Sequence, residues 1–411
     1  MSEAVNQRIS ESAKRRGSES AGRRNIVRDW WLVILLVILV LATGLRFYRL
    51  DGQSFWNDEG NSVRLVERPW ATMVGGAAAD IHPPGYYALL WGWVRLFGFS
   101  EIAVRSLSAL LGLLLVYVTY RLGRLLDGPA VGLAAALVAA VAPFQVYYSQ
   151  EARMYILVAL SGALSMYFFV CLLTDQSPNS QSTSSQSTSC PPGIRCAIPF
   201  YALSTALGLY SHYSFPVVIA AQNVFFIIWL ATTVGRVANL SYIARLVARW
   251  ALAQGLAVAL YLPWLPVAWR RITGWPAISP AYSPGYIAGE AFRLLSLGPT
   301  VEPERAWPWL VGFGVLFLLG VRIGESASQR ISESANQRGG ELANREINRW
   351  AGWWGSVLLL LYCTAPVVLM IALSLLGRPA YRPKFFLVAA PAFAIIVGRG
   401  MVNGELSLIH I

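Results

Sequence analysis

The chain alternates between long apolar runs and short polar breaks. Ten runs stand out, at about 30–48, 103–121, 129–147, 152–173, 197–211, 215–233, 250–268, 306–323, 351–376 and 385–402. Most are near the ~20 residues with which a helix crosses the ~30 Å hydrocarbon layer of a membrane. A crossing helix satisfies its own backbone hydrogen bonds, which lipid cannot do for it. The pattern predicts an all-α polytopic membrane protein with about ten transmembrane helices.

One further run, 84–98, is apolar but reaches only about 22 Å as a helix. Counted as a span, it would place Arg121, Arg124 and the basic loop 236–249 on the outer face. Laid in the interface, it leaves them inside, where basic loop residues are favoured. Its aromatic residues Tyr86, Tyr87, Trp91, Trp93 and Phe97 suit interfacial depth. Pro83 and Pro84 suit a helix start, where a missing N–H costs least. The reading taken is a long first outer loop, 49–102, carrying an interfacial helix. With the amino terminus inside, Asp58, Glu59, Asp80, His82, Glu151, Arg153 and His212 fall outside. Arg270, Arg271, Arg378, Arg382 and Lys384 fall outside with them.

Composition sharpens this picture. The chain is 56% hydrophobic and 13% charged, so an acidic pair ten residues past a membrane exit is expensive to keep without a use. The net charge of +12 is spread over many loops and does not read as a nucleic-acid surface. Lysine occurs only at Lys14 and Lys384. Arginine suits bidentate contact with phosphate, although a coding bias accounts for its excess equally well. Cys190 and Cys196 match no common zinc or redox spacing, and no cleavable signal precedes the first run. Residues 1–29 read as a disordered basic cytoplasmic tail, ahead of a catalytic transmembrane domain over 30–404. Within that domain 324–349 reads as a cytoplasmic low-complexity loop, repeating the Gln7–Ala13 heptapeptide at Gln329–Ala335. Residues 177–189 form a Ser/Thr/Gln linker. Residues 405–411 read as an artefactual tail, with the natural chain continuing beyond about Gly404.

Three acidic clusters carry candidate chemistry. Asp58 and Glu59 could supply a general base and a group that orients it, since a surface loop can meet both a lipid-borne and a soluble reactant. A solvated turn is the bland alternative. Asp80 and His82, fixed by two prolines, could face one ligand, either a phosphate or a divalent cation; a rigid turn would look the same. Glu151 and Arg153 open the fourth run, where a helix N-terminus also favours an acidic residue.

Four stretches together carry a family likeness. They are Trp56-Asn57-Asp58-Glu59, Asp80-x-His82-Pro83-Pro84-Gly85-Tyr86-Tyr87, the run from Phe97 to Leu110 with Ser100, Glu101, Arg105 and Ser106, and Tyr148-Ser149-Gln150-Glu151-Ala152-Arg153-Met154-Tyr155. The pattern resembles the protein O-mannosyltransferase-like branch of the GT-C glycosyltransferases, which includes the lipid A aminoarabinose transferases. It is dense over 46–160 and thinner beyond. Later echoes are Gly208–Tyr213, with His212, and Tyr381–Leu387, where Lys384 stands at a place that is commonly arginine.

The resemblance implies an inverting transfer, on the outer face, of a sugar from a polyprenyl-phosphate donor. It implies Asp58 as base, with Glu59 and Glu151 as further catalytic carboxylates. Asp80 and His82 would lie near the phosphate or a cation, and no cofactor beyond such a cation is called for. Arg153, Arg378, Arg382 and Lys384 would meet the leaving phosphate, and His212 joins the substrate-binding set. The acceptor is left open among protein, lipid and glycan. The expected location is a prokaryotic plasma membrane. A polytopic transporter or lipid flippase is the rival, but such proteins place ionisable residues at mid-membrane and show paired broken helices. A non-catalytic scaffold would bind the lipid-linked sugar without turnover.

Overall fold

The computed structural model describes residues 30–174, 197–234, 240–274, 279–322 and 353–408. The amino-terminal tail, the 177–189 linker, the 324–349 loop and residues 409–411 lie outside that set. Every regular element among the described residues is helical. The helices are α1 (Trp30–Phe47), α2 (Asn57–Val66), α3 (Trp70–Ala79), α4 (Gly85–Phe97), α5 (Glu101–Asp127), α6 (Pro129–Val141), α7 (Pro143–Ser149), α8 (Tyr155–Thr174), α9 (Ala197–Ser211), α10 (Pro216–Val234), α11 (Leu240–Tyr261), α12 (Leu265–Thr273), α13 (Pro284–Leu297), α14 (Pro303–Arg322), α15 (Trp353–Leu375) and α16 (Ala390–Leu408). A 3-10 turn, Pro383–Ala389, leads into α16.

Among the described residues, seven helices are long and apolar enough to cross a membrane, or eight if α6 and α7 count as one bent span. The remaining runs of the sequence reading, α9 and the apolar Pro216–Thr232 part of α10, are shorter. Burial decides which helices are central. The crossing windows of α8 and of Pro383–Gly404 are 89% buried, against 22% for α1, which leaves a lipid-facing side on α1. Inside the bundle, Gln222 of α10 donates to Ser165 of α8 at 2.9 Å and accepts from Tyr201 of α9 at 2.8 Å. Ser165 in turn meets Thr205 of α9 at 2.9 Å. Such bonds join helices where no water competes for them.

The segment 49–102 holds three helices and is not an open loop. α4 has 13 residues, about 20 Å, and is too short to span. Its aromatic residues divide, with Phe97 exposed, Trp91 and Trp93 partly exposed and the two tyrosines turned inward. Tyr86 and Tyr87 are buried, and the Tyr86 hydroxyl lies 2.8 Å from Ser108 of α5. Trp93 donates to the Ala103 carbonyl at 2.8 Å. The polar tips of these rings find partners in the protein. Gly85 permits this docking, because a Cβ there would stand 2.6 Å from the Tyr210 carbonyl oxygen.

A buried arginine explains the α6–α7 bend of 60°. Pro143 has no N–H, so the Ala139 carbonyl loses its helical partner. Arg46 of α1 takes that place, donating to Ala139 O at 3.0 Å and Ala140 O at 2.9 Å. Gly112 of α5 makes room, since a Cβ there would overlap Ser149 Oγ and stand 3.0 Å from Arg46 Nε. Gly112→Ala is expected to destabilise the protein by about 1–3 kcal/mol. Thermal unfolding in detergent checks this, and an unchanged midpoint would refute the close approach.

Candidate active site

The first turn of α2 carries Asp58 and Glu59, where the helix dipole favours negative charge. Their side chains go to different places. Glu59 is 1% exposed. It accepts from Arg105 of α5 through Nε at 2.9 Å and Nη2 at 2.6 Å, and from the Ala152 N–H at 2.9 Å. Arg105 spends its other donors on Leu50 O at 2.6 Å, Gln53 O at 2.8 Å and Ser54 O at 3.3 Å. Glu59 is thus engaged on both oxygens. These contacts join α2, α5 and the 150–154 turn.

Asp58 is 31% exposed and faces the opening. Its Oδ2 lies 3.6 Å from Lys384 Nζ and 4.0 Å from Arg153 Nη2. Arg153 also donates to the Asp58 carbonyl and to Ser62 Oγ, each at 3.1 Å. The Tyr87 hydroxyl accepts from Arg153 at 3.4 Å and donates to Asp80 at 3.4 Å. Asp80 in turn meets His82 Nδ1 at 3.4 Å. Burial works to raise the Asp80 carboxyl, but the His82 hydrogen bond and the neighbouring charges hold it below its usual value. Burial lowers His82 despite Asp80. The His82 ring lies 5.7 Å from that of His212. The three acidic clusters of the sequence, with His212, therefore meet in one place.

Glu151 lies in the turn between α7 and α8, is 6% exposed, and its Oε1 has no hydrogen-bond partner. It caps no helix. Burial raises its carboxyl to about 7, against the pull of Lys384 and Arg153. The folded protein thus holds this proton more tightly than the unfolded chain does. The resulting stability is full below about 4.5, the group's usual value, and is lost as pH rises through about 7. Glu151→Gln is expected to stabilise the protein at pH 8, on the order of 2–3 kcal/mol, and to change little at pH 4. Melting curves at the two pH values check this, and equal shifts at both would refute it.

Among the described residues, Asp80 and His82 stand as a pair with no larger ligand cluster of His, Cys, Asp or Glu around them. Arg153 and Lys384 add positive charge where a cation would sit. Arg378 is exposed on the turn after α15, and no described contact joins its side chain to the cluster. Arg382 is exposed and close enough to act on Lys384 electrostatically. Three members went unassigned from sequence: Arg105, Tyr87 and Tyr155. Arg105 had left a signal, being the lone charge in the apolar run 102–111, where an unpaired arginine would be costly. The tyrosines had left none.

These carboxylates and cations gather where the short helices α2–α4 meet the end of a polytopic bundle, and the fold is that of GT-C glycosyltransferases. Residues 81–182 match the family model described as dolichyl-phosphate-mannose-protein mannosyltransferase. No curated protein sequence matches the chain. The chain superimposes on ArnT from Cupriavidus metallidurans in the apo state with a TM-score of 0.55 and 16% identity, over 94% of this chain and 63% of that one. Against the same protein bound to undecaprenyl phosphate the values are 0.54 and 14%, over 91% and 60%. Against the oligosaccharyltransferase AglB from Archaeoglobus fulgidus, in complex with an inhibitory peptide and a dolichol-phosphate, they are 0.52 and 14%, over 93% and 51%. The chain thus spans about 60% of the length of ArnT.

Proposed function

We propose that this protein transfers a sugar from a polyprenyl-phosphate donor to an acceptor on the outer face of a membrane, with inversion at the anomeric carbon. The observation that carries the reading is the triad of Asp58, Arg153 and Lys384. One semi-exposed carboxylate stands within 4.0 Å of two cations drawn from two other parts of the fold. Inverting transfer needs a base on one side of the anomeric carbon and charge stabilisation for a leaving phosphate on the other. Asp58 takes the acceptor's proton as the acceptor oxygen or nitrogen bonds to the anomeric carbon and the sugar–phosphate bond breaks. Arg153 and Lys384, which neutralise Asp58 in the free protein, turn to the phosphate when the donor arrives, and this releases Asp58 as a base. Glu151, buried and unpaired, meets the sugar. Asp80 and His82 orient Arg153 through Tyr87, and Glu59 with Arg105 holds the frame. The lipid named for the related ArnT structure, undecaprenyl phosphate, supports a long-chain polyprenyl carrier.

Membranes carrying the protein, supplied with radiolabelled polyprenyl-phosphate hexoses or pentoses, are expected to move label into acceptor material. Saturable donor binding with no transfer to any endogenous acceptor would sink the enzyme reading in favour of a scaffold. No donor binding at all would return the transporter reading.

A further inference from the structure

His212 sits in the turn between α9 and α10 and is 2% exposed. Its Nδ1 accepts from the Ser214 N–H at 3.0 Å and lies 2.8 Å from the Ser214 hydroxyl. A ring nitrogen that accepts from a backbone N–H carries no proton, so the neutral ring bears its hydrogen on Nε2. That Nε2 is buried and has no partner among the described residues. Such a donor is costly to leave unpaired, and buried polar groups of this kind call for a ligand or water. The ring cannot swing away to solvent. It packs on Phe385 at 4.8 Å, His82 at 5.7 Å and Tyr155 at 6.1 Å between centroids.

The imidazole lines a small recess of about 10 Å³, room for one water-sized group. Lys384 lines the same recess, with its ammonium 4.5 Å from the Tyr155 ring centre. Val158, Phe385 and Val388 make the apolar walls. The two residues that carry strong donors, His212 and Lys384, thus share one recess, and no carboxylate residue lines it. A cation would be repelled. A sugar hydroxyl would accept from these donors more weakly than a charged oxygen does. An anionic oxygen, which accepts from both, is the matching group.

We propose that His212 Nε2–H and Lys384 Nζ together hold one phosphoryl oxygen of the polyprenyl-phosphate donor, His212 serving as a neutral donor whose tautomer is set by the Ser214 backbone. The inference rests on the transferase reading and deepens it. It adds a neutral donor to a site otherwise made of cations, so phosphate can be gripped without another charge beside Asp58.

The test is binding of undecaprenyl phosphate to purified protein in nanodiscs. His212→Phe keeps a packed ring and removes the donor, and His212→Gln restores an N–H donor. His212→Phe is expected to weaken binding about tenfold or more, with His212→Gln recovering part of that loss, as for a hydrogen bond to a charged group. Unchanged binding by His212→Phe, or equal loss in both variants, would overturn the donor role and leave the transferase reading standing. Failure of the wild type to bind the lipid would instead overturn the transferase reading and this inference with it. Should His212→Phe not fold, nitrogen-15 spectra of histidine-labelled wild type decide the matter at pH 7, assigned with His212→Gln because the chain has only 3 histidines. A protonated Nε2 with a bare Nδ1 is expected for His212; the reverse tautomer would overturn the proposal.

Discussion

Asp58→Asn is expected to lower sugar transfer by roughly 10²–10⁴-fold, the usual contribution of a positioned general base. The amide keeps the size of the side chain and cannot take a proton. Donor binding should survive, because the substitution leaves Lys384 and Arg153 with one competitor fewer. The expected signature is a fall in kcat with KM for the donor unchanged or lower. The decisive measurement is transfer of label at saturating donor, together with donor binding by the same folded variant. Transfer near the wild-type rate would show that Asp58 is not the base. Glu151, whose buried Oε1 has no hydrogen-bond partner among the described residues, would then be next to test.

Breaking the buried pair beneath the site should have the largest effect on folding. Arg105→Ala takes the cation away from Glu59, which is 1% exposed and of its described partners keeps only the Ala152 N–H. Removing one member of a buried pair typically costs about 3–5 kcal/mol. Arg105 also gathers the carbonyls of Leu50, Gln53 and Ser54, so the chain entering α2 loses its anchor. Activity should fall with stability, because Glu59 also holds the Ala152 N–H beside Glu151 and Arg153. The pair Glu59→Gln with Arg105→Met should recover part of the lost stability, because no unpaired charge remains. Thermal unfolding of the three proteins separates the cases. Equal midpoints for Arg105→Ala and wild type would mean that Glu59 is not held as described.

A second ion pair marks the far end of α5. Arg399 of α16 donates to Asp127 at 2.6 Å and to Ser356 of α15 at 3.0 Å. The long helix is thus pinned at Arg105 by the site and at Asp127 by the closing helices. This keeps the α2–α4 layer in register with the bundle that delivers Lys384.

Apolar run length determined the helical membrane class by itself, since lipid leaves a chain few other ways to satisfy its backbone. The short motifs determined which residues to watch: Asp58, Asp80, His82, Glu151, Arg153, His212 and Lys384 do converge. For the neighbours Asp58 and Glu59, residue type left the roles open, and only the family likeness marked Asp58 as the base. The tertiary structure gave them different surroundings, because consecutive helical residues point about 100° apart: Glu59 meets Arg105, and Asp58 stays 31% exposed beside Lys384. The same holds within α4, where Tyr86 is buried against Ser108 while Phe97 stays exposed. Arg378 and Lys384 lie six positions apart, yet only Lys384 reaches Asp58. Sequence spacing sets what is near along a chain. The direction in which each side chain is buried depends on helices packed from elsewhere, and that decided which charges became a site and which a frame.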